Sequence, residues 1–345
     1  KLSQTYRIPA GTTINGIGII SRDQDTYIGS YLTANAFRTA ASQADVILSF
    51  GAKWDYTLLY GAPPIWDQSQ KLIQVDIDPK EIGKNRPTEV AIIGDAKAVI
   101  GQLLEKMEED LPKNNITKWN EWNDYLREFL ETDKKAIDKI LNSTKEPMKP
   151  QRLAYEVLDF IKSDTQLVLD GGDIVVFTFS LLSNFPRKPR STFYPISMGH
   201  LGTGIPYAIG TQMANPEKLT VCLTGDGSFM FNVQELDTLV RLNLPVIILI
   251  ANNSCWGMIK SNQKNNLKKR YCDVDFPPTN YAKIAEGYGC YAEKVTDPDD
   301  IQPALRRALE SKKPAVLDVE IAFETPPAMK IVGLYKKNKG LFKNP

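Results

Sequence analysis

Seven short apolar runs rich in β-branched residues, most of them closing on glycine or a polar residue, constrain this chain more than any other feature. Residues 45–51, 71–78 and 90–95 lie in the first third; 166–170, 219–224, 245–251 and 315–321 come later. Runs with no polar alternation suit strands buried on both faces, which means parallel sheets covered by helices. Helical spacing falls between them, as from Ala98 to Leu104 after the third run. Strand and helix in turn predict an α/β architecture. At 345 residues, two such domains are expected. Residues 106–150 differ, being rich in Lys, Glu and Asn. There Trp119, Trp122, Tyr125, Leu126 and Phe129 recur at helical spacing, which predicts an amphipathic connector whose aromatic face packs rather than binds.

Charge and rare residues narrow the function. With 42 basic and 41 acidic side chains the net charge is +1, and no basic stripe interleaves with aromatics, so nucleic acid is not the expected partner. No apolar run reaches the ~20 residues a bilayer span needs, and no membrane partner is expected. The four cysteines show neither CxxC nor zinc-ligand spacing, so a reducing cytoplasm is the expected setting. His200 is the single histidine, which rules out multi-histidine metal sites and leaves one imidazole for any acid–base role.

Two of the later runs end in unusual polar groups. The run at 219–224 leads into Gly225-Asp226-Gly227-Ser228, and the run at 245–251 into Asn252-Asn253-Ser254-Cys255. In a parallel sheet both lie at carboxyl ends of strands, where open α/β folds bind ligands. Glycines let the backbone approach a phosphate, and a helix that follows offers free N–H groups. A carboxylate beside a diphosphate needs a cation between them. Mg²⁺ prefers hard oxygens shared with phosphates, and Asp226 and Asn253 offer one charged and one neutral oxygen. Gly225-Asp226-Gly227 alone is common in turns; here a second apolar strand follows it and ends in the asparagine pair, with Asn253 27 residues after Asp226.

These residues resemble the cofactor-binding motif of thiamine diphosphate enzymes of the acetolactate synthase type. The resemblance implies two doubly wound parallel-sheet domains: a Rossmann-like central domain (1–105) and a thiamine diphosphate-binding domain (151–330), joined by a helical connector (106–150) and followed by a tail (331–345). It implies Asp226, Asn253 and the Cys255 carbonyl as Mg²⁺ ligands, with Gly225, Gly227 and Ser228 at the diphosphate and Trp256, Gly257 and Met258 also at the cofactor. Upstream, Met198-Gly199-His200-Leu201-Gly202-Thr203-Gly204 is similar to the family's loop before this motif. There the Gly199 carbonyl would accept from the cofactor's amino group, Leu201 would wedge the cofactor, and His200 becomes a catalytic candidate. The central domain binds FAD in some members and ADP in others. The stretch Gly51-Ala52-Lys53-Trp54-Asp55 lacks the arginines of flavin-binding members, so neither is supported.

The resemblance further implies a glutamate on a pyrimidine-binding domain, which activates the cofactor in relatives. No such domain is expected within this chain, so it would come from a missing segment or another chain, within a homo-oligomer (dimer or tetramer). Alone, the chain is expected to be inactive. The implied substrate is a 2-oxo acid, decarboxylated and ligated as pyruvate is by acetolactate synthase. Trp54 to Gly61 also resembles the 2-hydroxyacyl-CoA lyase and oxalyl-CoA decarboxylase branch, which would take an acyl-CoA. The contrasting reading is an inactive cofactor-binding subunit or fragment. A glycine-loop nucleotide-binding protein would instead prefer ATP.

Overall fold

A computed structural model describes residues 1–326 apart from 33, 64, 112–118, 142, 144, 196 and 197, and apart from the side chain of 136. The predicted tail, 331–345, lies outside these residues. The chain divides into two compact units, Lys1–Lys135 and a second from Ala136 onward.

In the first unit, α1 (Leu2–Tyr6) precedes β1 (Ala10–Thr12) and β2 (Tyr27–Ser30), a short parallel pair. After α2 (Asn35–Gln43) come β3 (Val46–Phe50), β4 (Lys71–Asp76) and β5 (Val90–Ile93), which form a three-stranded parallel sheet in sequence order. Three of the seven apolar runs are these strands. The residues of β1 and β2 carry no run long enough to read from sequence. Gly11 in β1 serves close approach, since a Cβ there would lie 2.7 Å from the Gly29 carbonyl of β2. Next, α3 (Ala96–Asp110) starts on Asp95, whose side chain accepts from Ala98 N. Then α4 (Asn120–Leu141) runs through the division between units. Part of the predicted aromatic stripe packs: Trp122, Leu126 and Phe129 lie on Ile28, Ala36 and Ala40, whereas Tyr125, and Trp119 just ahead of the helix, are exposed.

The second unit opens with α5 (Pro150–Phe160) and β6 (Gln166–Leu169), α6 (Asp173–Leu182) and β7 (Thr192–Phe193). It continues with α7 (Gly204–Ala214), β8 (Thr220–Gly225), α8 (Asp226–Phe231), α9 (Glu235–Arg241) and β9 (Ile247–Asn252). It closes with α10 (Gly257–Asn266), α11 (Tyr281–Gly287), β10 (Tyr291–Val295), α12 (Ile301–Ser311) and β11 (Ala315–Glu320). The six strands form one parallel sheet in the order β10-β11-β9-β8-β6-β7. Core residues such as Val168, Cys222, Ile248 and Val316 are fully buried. Cys222 is thus a small apolar filler, and burial pushes its thiol well above the usual range.

One helix differs from expectation. The helix expected to follow the glycine turn begins at Asp226 itself, breaks at Asn232 and resumes at Glu235. Asn232 leaves the helical region (φ −135°), and its side-chain amide donates to the Gly202 carbonyl at 2.7 Å. That bond to another loop outweighs helix continuity.

Candidate functional site

From β6 the chain passes to β7 on one side and then to β8 on the other, so the sheet order reverses between β6 and β8. Such a reversal leaves a crevice outside the carboxyl ends of the strands. Three strand ends meet there: Asp170-Gly171-Gly172-Asp173 after β6, Gly225-Asp226-Gly227-Ser228 at β8, and Asn252-Asn253-Ser254-Cys255 at β9.

Glycines allow the approach. Gly171 has φ +114°, and a Cβ on it would lie 3.1 Å from Gly225 N. A Cβ on Gly172 would fall 2.6 Å from Met258 Cγ, and one on Gly227 2.5 Å from the Trp256 ring. On Gly257 it would overlap the Asp173 carboxylate outright. Trp256 and Met258 thus pack on the glycine turns, with Trp256 also edge-on to Phe276.

Asp226 is 3% exposed. Its Oδ1 accepts from Gly227 N at 2.8 Å, while buried Oδ2 has no hydrogen-bond partner within the protein. Burial pushes this carboxyl up to about 7. The nearby Asp173 charge adds to the rise, and the backbone N–H groups of Gly227, Ser254 and Cys255 oppose it. An orphaned carboxylate oxygen this deep is destabilising unless a cation or proton meets it. Asn253 Nδ2 donates to Asp173 Oδ2 at 2.8 Å, which fixes the direction of the amide; its Oδ1 accepts from Cys255 N at 3.2 Å and from the Cys255 thiol at 3.3 Å. Among the described residues no three His, Cys, Asp or Glu side chains gather as a metal cluster. The oxygens of Asp226 and Asn253 are instead a carboxylate and an amide, hard donors of the kind that Mg²⁺ shares with a phosphate ligand.

The second predicted segment stands beside these. Gly199 (φ +62°), His200 and Leu201 lie on an exposed loop, with Leu201 38% exposed. This loop is tied to the site by Asp170. Its Oδ1 accepts from Gly202 N at 3.2 Å, and its Oδ2 from Gly204 N at 2.9 Å and from the Thr224 hydroxyl at 3.3 Å. Burial raises the Asp170 and Asp173 carboxyls, and the backbone and side-chain donors around each pull them back. Asp170 and Asp173 were not singled out as site residues from sequence. Their signal was their position, at the end of an apolar run beside two glycines.

Comparison with known proteins follows the same outline. The thiamine pyrophosphate enzyme C-terminal TPP binding domain matches residues 170–319, and the thiamine pyrophosphate enzyme central domain matches residues 1–103. The chain belongs to the thiamine pyrophosphate enzymes and carries their central and C-terminal domains. It is 32% identical over 338 residues to a probable acetolactate synthase large subunit of Methanococcus aeolicus, covering 93% of this chain and 55% of that protein. It is 30% identical over 330 residues to the acetolactate synthase large subunit of Porphyra purpurea, covering 93% and 53%. To human 2-hydroxyacyl-CoA lyase 1 it is 28% identical over 340 residues, covering 93% and 56%. The chain spans about half the length of the curated relatives it matches.

Proposed function

We propose that this chain serves thiamine diphosphate- and Mg²⁺-dependent carbon–carbon bond cleavage and ligation of a 2-oxo acid, in the manner of an acetolactate synthase. The observation that carries the reading is the unpartnered Asp226 Oδ2 beside the Asn253 amide, at the sheet reversal of a TPP-binding domain. Asp226, Asn253 and the Cys255 carbonyl would hold Mg²⁺. Gly225, Gly227 and Ser228 would border the diphosphate, and Trp256, Gly257 and Met258 would shape the wall beside it. Bound there, the cofactor supplies an electron sink for the carbanion left when a bond next to a carbonyl breaks. The protein's part is to anchor the diphosphate, hold the reacting end in place and exclude water. Gly199 and Leu201 would meet the cofactor's other ring from their loop, and His200 would stand within reach of substrate. A pyrimidine-binding domain, from elsewhere in the protein or from a partner chain, would complete the site in a cytoplasmic homo-oligomer.

The relative named 2-hydroxyacyl-CoA lyase supports a second reading, with an acyl-CoA as substrate. The native protein, supplied with thiamine diphosphate, Mg²⁺ and pyruvate, is expected to form acetolactate. Turnover of a 2-hydroxyacyl-CoA with no acetolactate would replace the first reading by the second.

A further inference from the structure

Asp318 lies within β11, between Ile250 of β9 and Lys294 of β10, and is 0% exposed. A carboxylate in that setting is costly unless each oxygen is engaged. Here both are. Asp318 Oδ1 accepts from Asn252 Nδ2 at 2.9 Å, and Oδ2 accepts from Tyr281 N at 3.0 Å. Both partners are N–H donors, so the group must act as an acceptor at each oxygen, as an ionised carboxylate does.

The consequence runs through Asn252. With its Nδ2 committed to Asp318, its Oδ1 must point the other way, and there it accepts from Ser254 N and Ser254 Oγ, both at 3.2 Å. Ser254 is held in the left-handed region (φ +51°), a conformation that is strained for a non-glycine residue and needs support. The Phe276 N–H closes on the Ser254 carbonyl at 2.8 Å from the far side. The turn so fixed carries Asn253 and Cys255 on either side of Ser254.

We infer that Asp318 is a positioning residue for the metal: by fixing the direction of the Asn252 amide it fixes the turn that presents Asn253 and Cys255. This rests on the Mg²⁺ site proposed above, and adds a residue that touches neither metal nor cofactor. The direction of the chain of bonds is what matters. In D318N the new amide offers one acceptor and one donor where two acceptors are needed. If its NH₂ faces Asn252, two donors oppose each other. If Asn252 turns over in response, its own NH₂ meets the Ser254 N–H. Every arrangement leaves a donor pair facing. The swap D318N/N252D restores the pattern: the amide at 318 donates to the carboxylate at 252 and accepts from Tyr281 N, while the second carboxylate oxygen accepts from Ser254.

The test is Mn²⁺ binding by the full chain in saturating thiamine diphosphate, followed by electron paramagnetic resonance, with circular dichroism to check folding. The wild type is expected to bind Mn²⁺, and D318N to bind it about 10-fold or more weakly, the range for losing an outer partner of a metal ligand. N252D alone is expected to bind weakly despite its added negative charge, and the swap to regain most of the affinity. Wild-type affinity in D318N would overturn the inference, as would a folded swap that fails to recover. If D318N does not fold, the swap decides alone: recovered folding and Mn²⁺ uptake uphold the inference, and their absence overturns it. A wild type that takes up no Mn²⁺ would overturn the site reading itself, and this inference with it.

Discussion

Adding one methyl group at Gly257 should dislodge the site while leaving its backbone unstrained. Gly257 opens α10 with no left-handed φ, so alanine is acceptable to the backbone. The obstacle is Asp173. A Cβ at 257 overlaps its Oδ2, lies 2.6 Å from its Cγ and 3.1 Å from Asn253 Nδ2. Non-bonded carbons rest ~3.5–4.0 Å apart, so the carboxylate must retreat, Cγ by about 1 Å and Oδ2, which the Cβ overlaps, by more than that. It has little freedom to do so, because Oδ1 accepts from Ile174 N at 2.9 Å while Oδ2 holds Asn253 at 2.8 Å. Losing that charge-assisted bond costs about 1.5–3 kcal/mol, and overpacking adds roughly 1–3 kcal/mol. A gain of about 1 kcal/mol in helix propensity offsets part of this. G257A is therefore expected to lose about 2–5 kcal/mol in urea unfolding and to weaken Mg²⁺-dependent cofactor binding. The control is G101A in α3, where a Cβ meets nothing within 4 Å; it should gain about 0.5–1 kcal/mol. A G257A protein as stable as wild type, alongside the expected gain in G101A, would refute the reasoning.

Further expectations concern the carboxylates. Asp226 is raised to about 7 when folded, above the ordinary value of about 4, so between those pH values the folded state holds a proton that the unfolded state has released. Stability without metal should then fall as pH rises from about 4 through 7, by a few kcal/mol at most. D226N should flatten that slope, and Mg²⁺ with thiamine diphosphate should bind more tightly as pH passes through about 7; urea midpoints and binding titrations at pH 5 and 8 check both. D170N should lose about 1–3 kcal/mol, because one amide cannot accept from Gly202 N, Gly204 N and the Thr224 hydroxyl together. Limited proteolysis should then cut more readily near Gly199, and an unchanged digestion pattern would count against Asp170 as the tie on that loop.

Most of the fold was legible because buried parallel strands announce themselves locally. The runs that became β3, β4, β5, β6, β8, β9 and β11 need no knowledge of their neighbours. β7, two residues long, and β10, half-exposed at the sheet edge, carry no such signal. The pair at Asp226 and Asn253 was a candidate from sequence because both stand at the ends of apolar strands in a pattern that resembles the family's motif. Asp170, Asp173 and Asp318 were not legible as site-builders. Each acts across the sheet on a residue 32 to 80 positions away, and only the strand order says which acid meets which turn. The break at Asn232 was hidden likewise, because its partner is the Gly202 carbonyl, 30 residues back.

The most direct test of the account is calorimetric titration of thiamine diphosphate into the protein, first with Mg²⁺ and then with EDTA. The account predicts binding with Mg²⁺ that EDTA abolishes, and that D226N lacks even with Mg²⁺. Binding that is equal in all three conditions, or absent from the wild type with Mg²⁺, would contradict a metal-bridged cofactor site at Asp226 and Asn253.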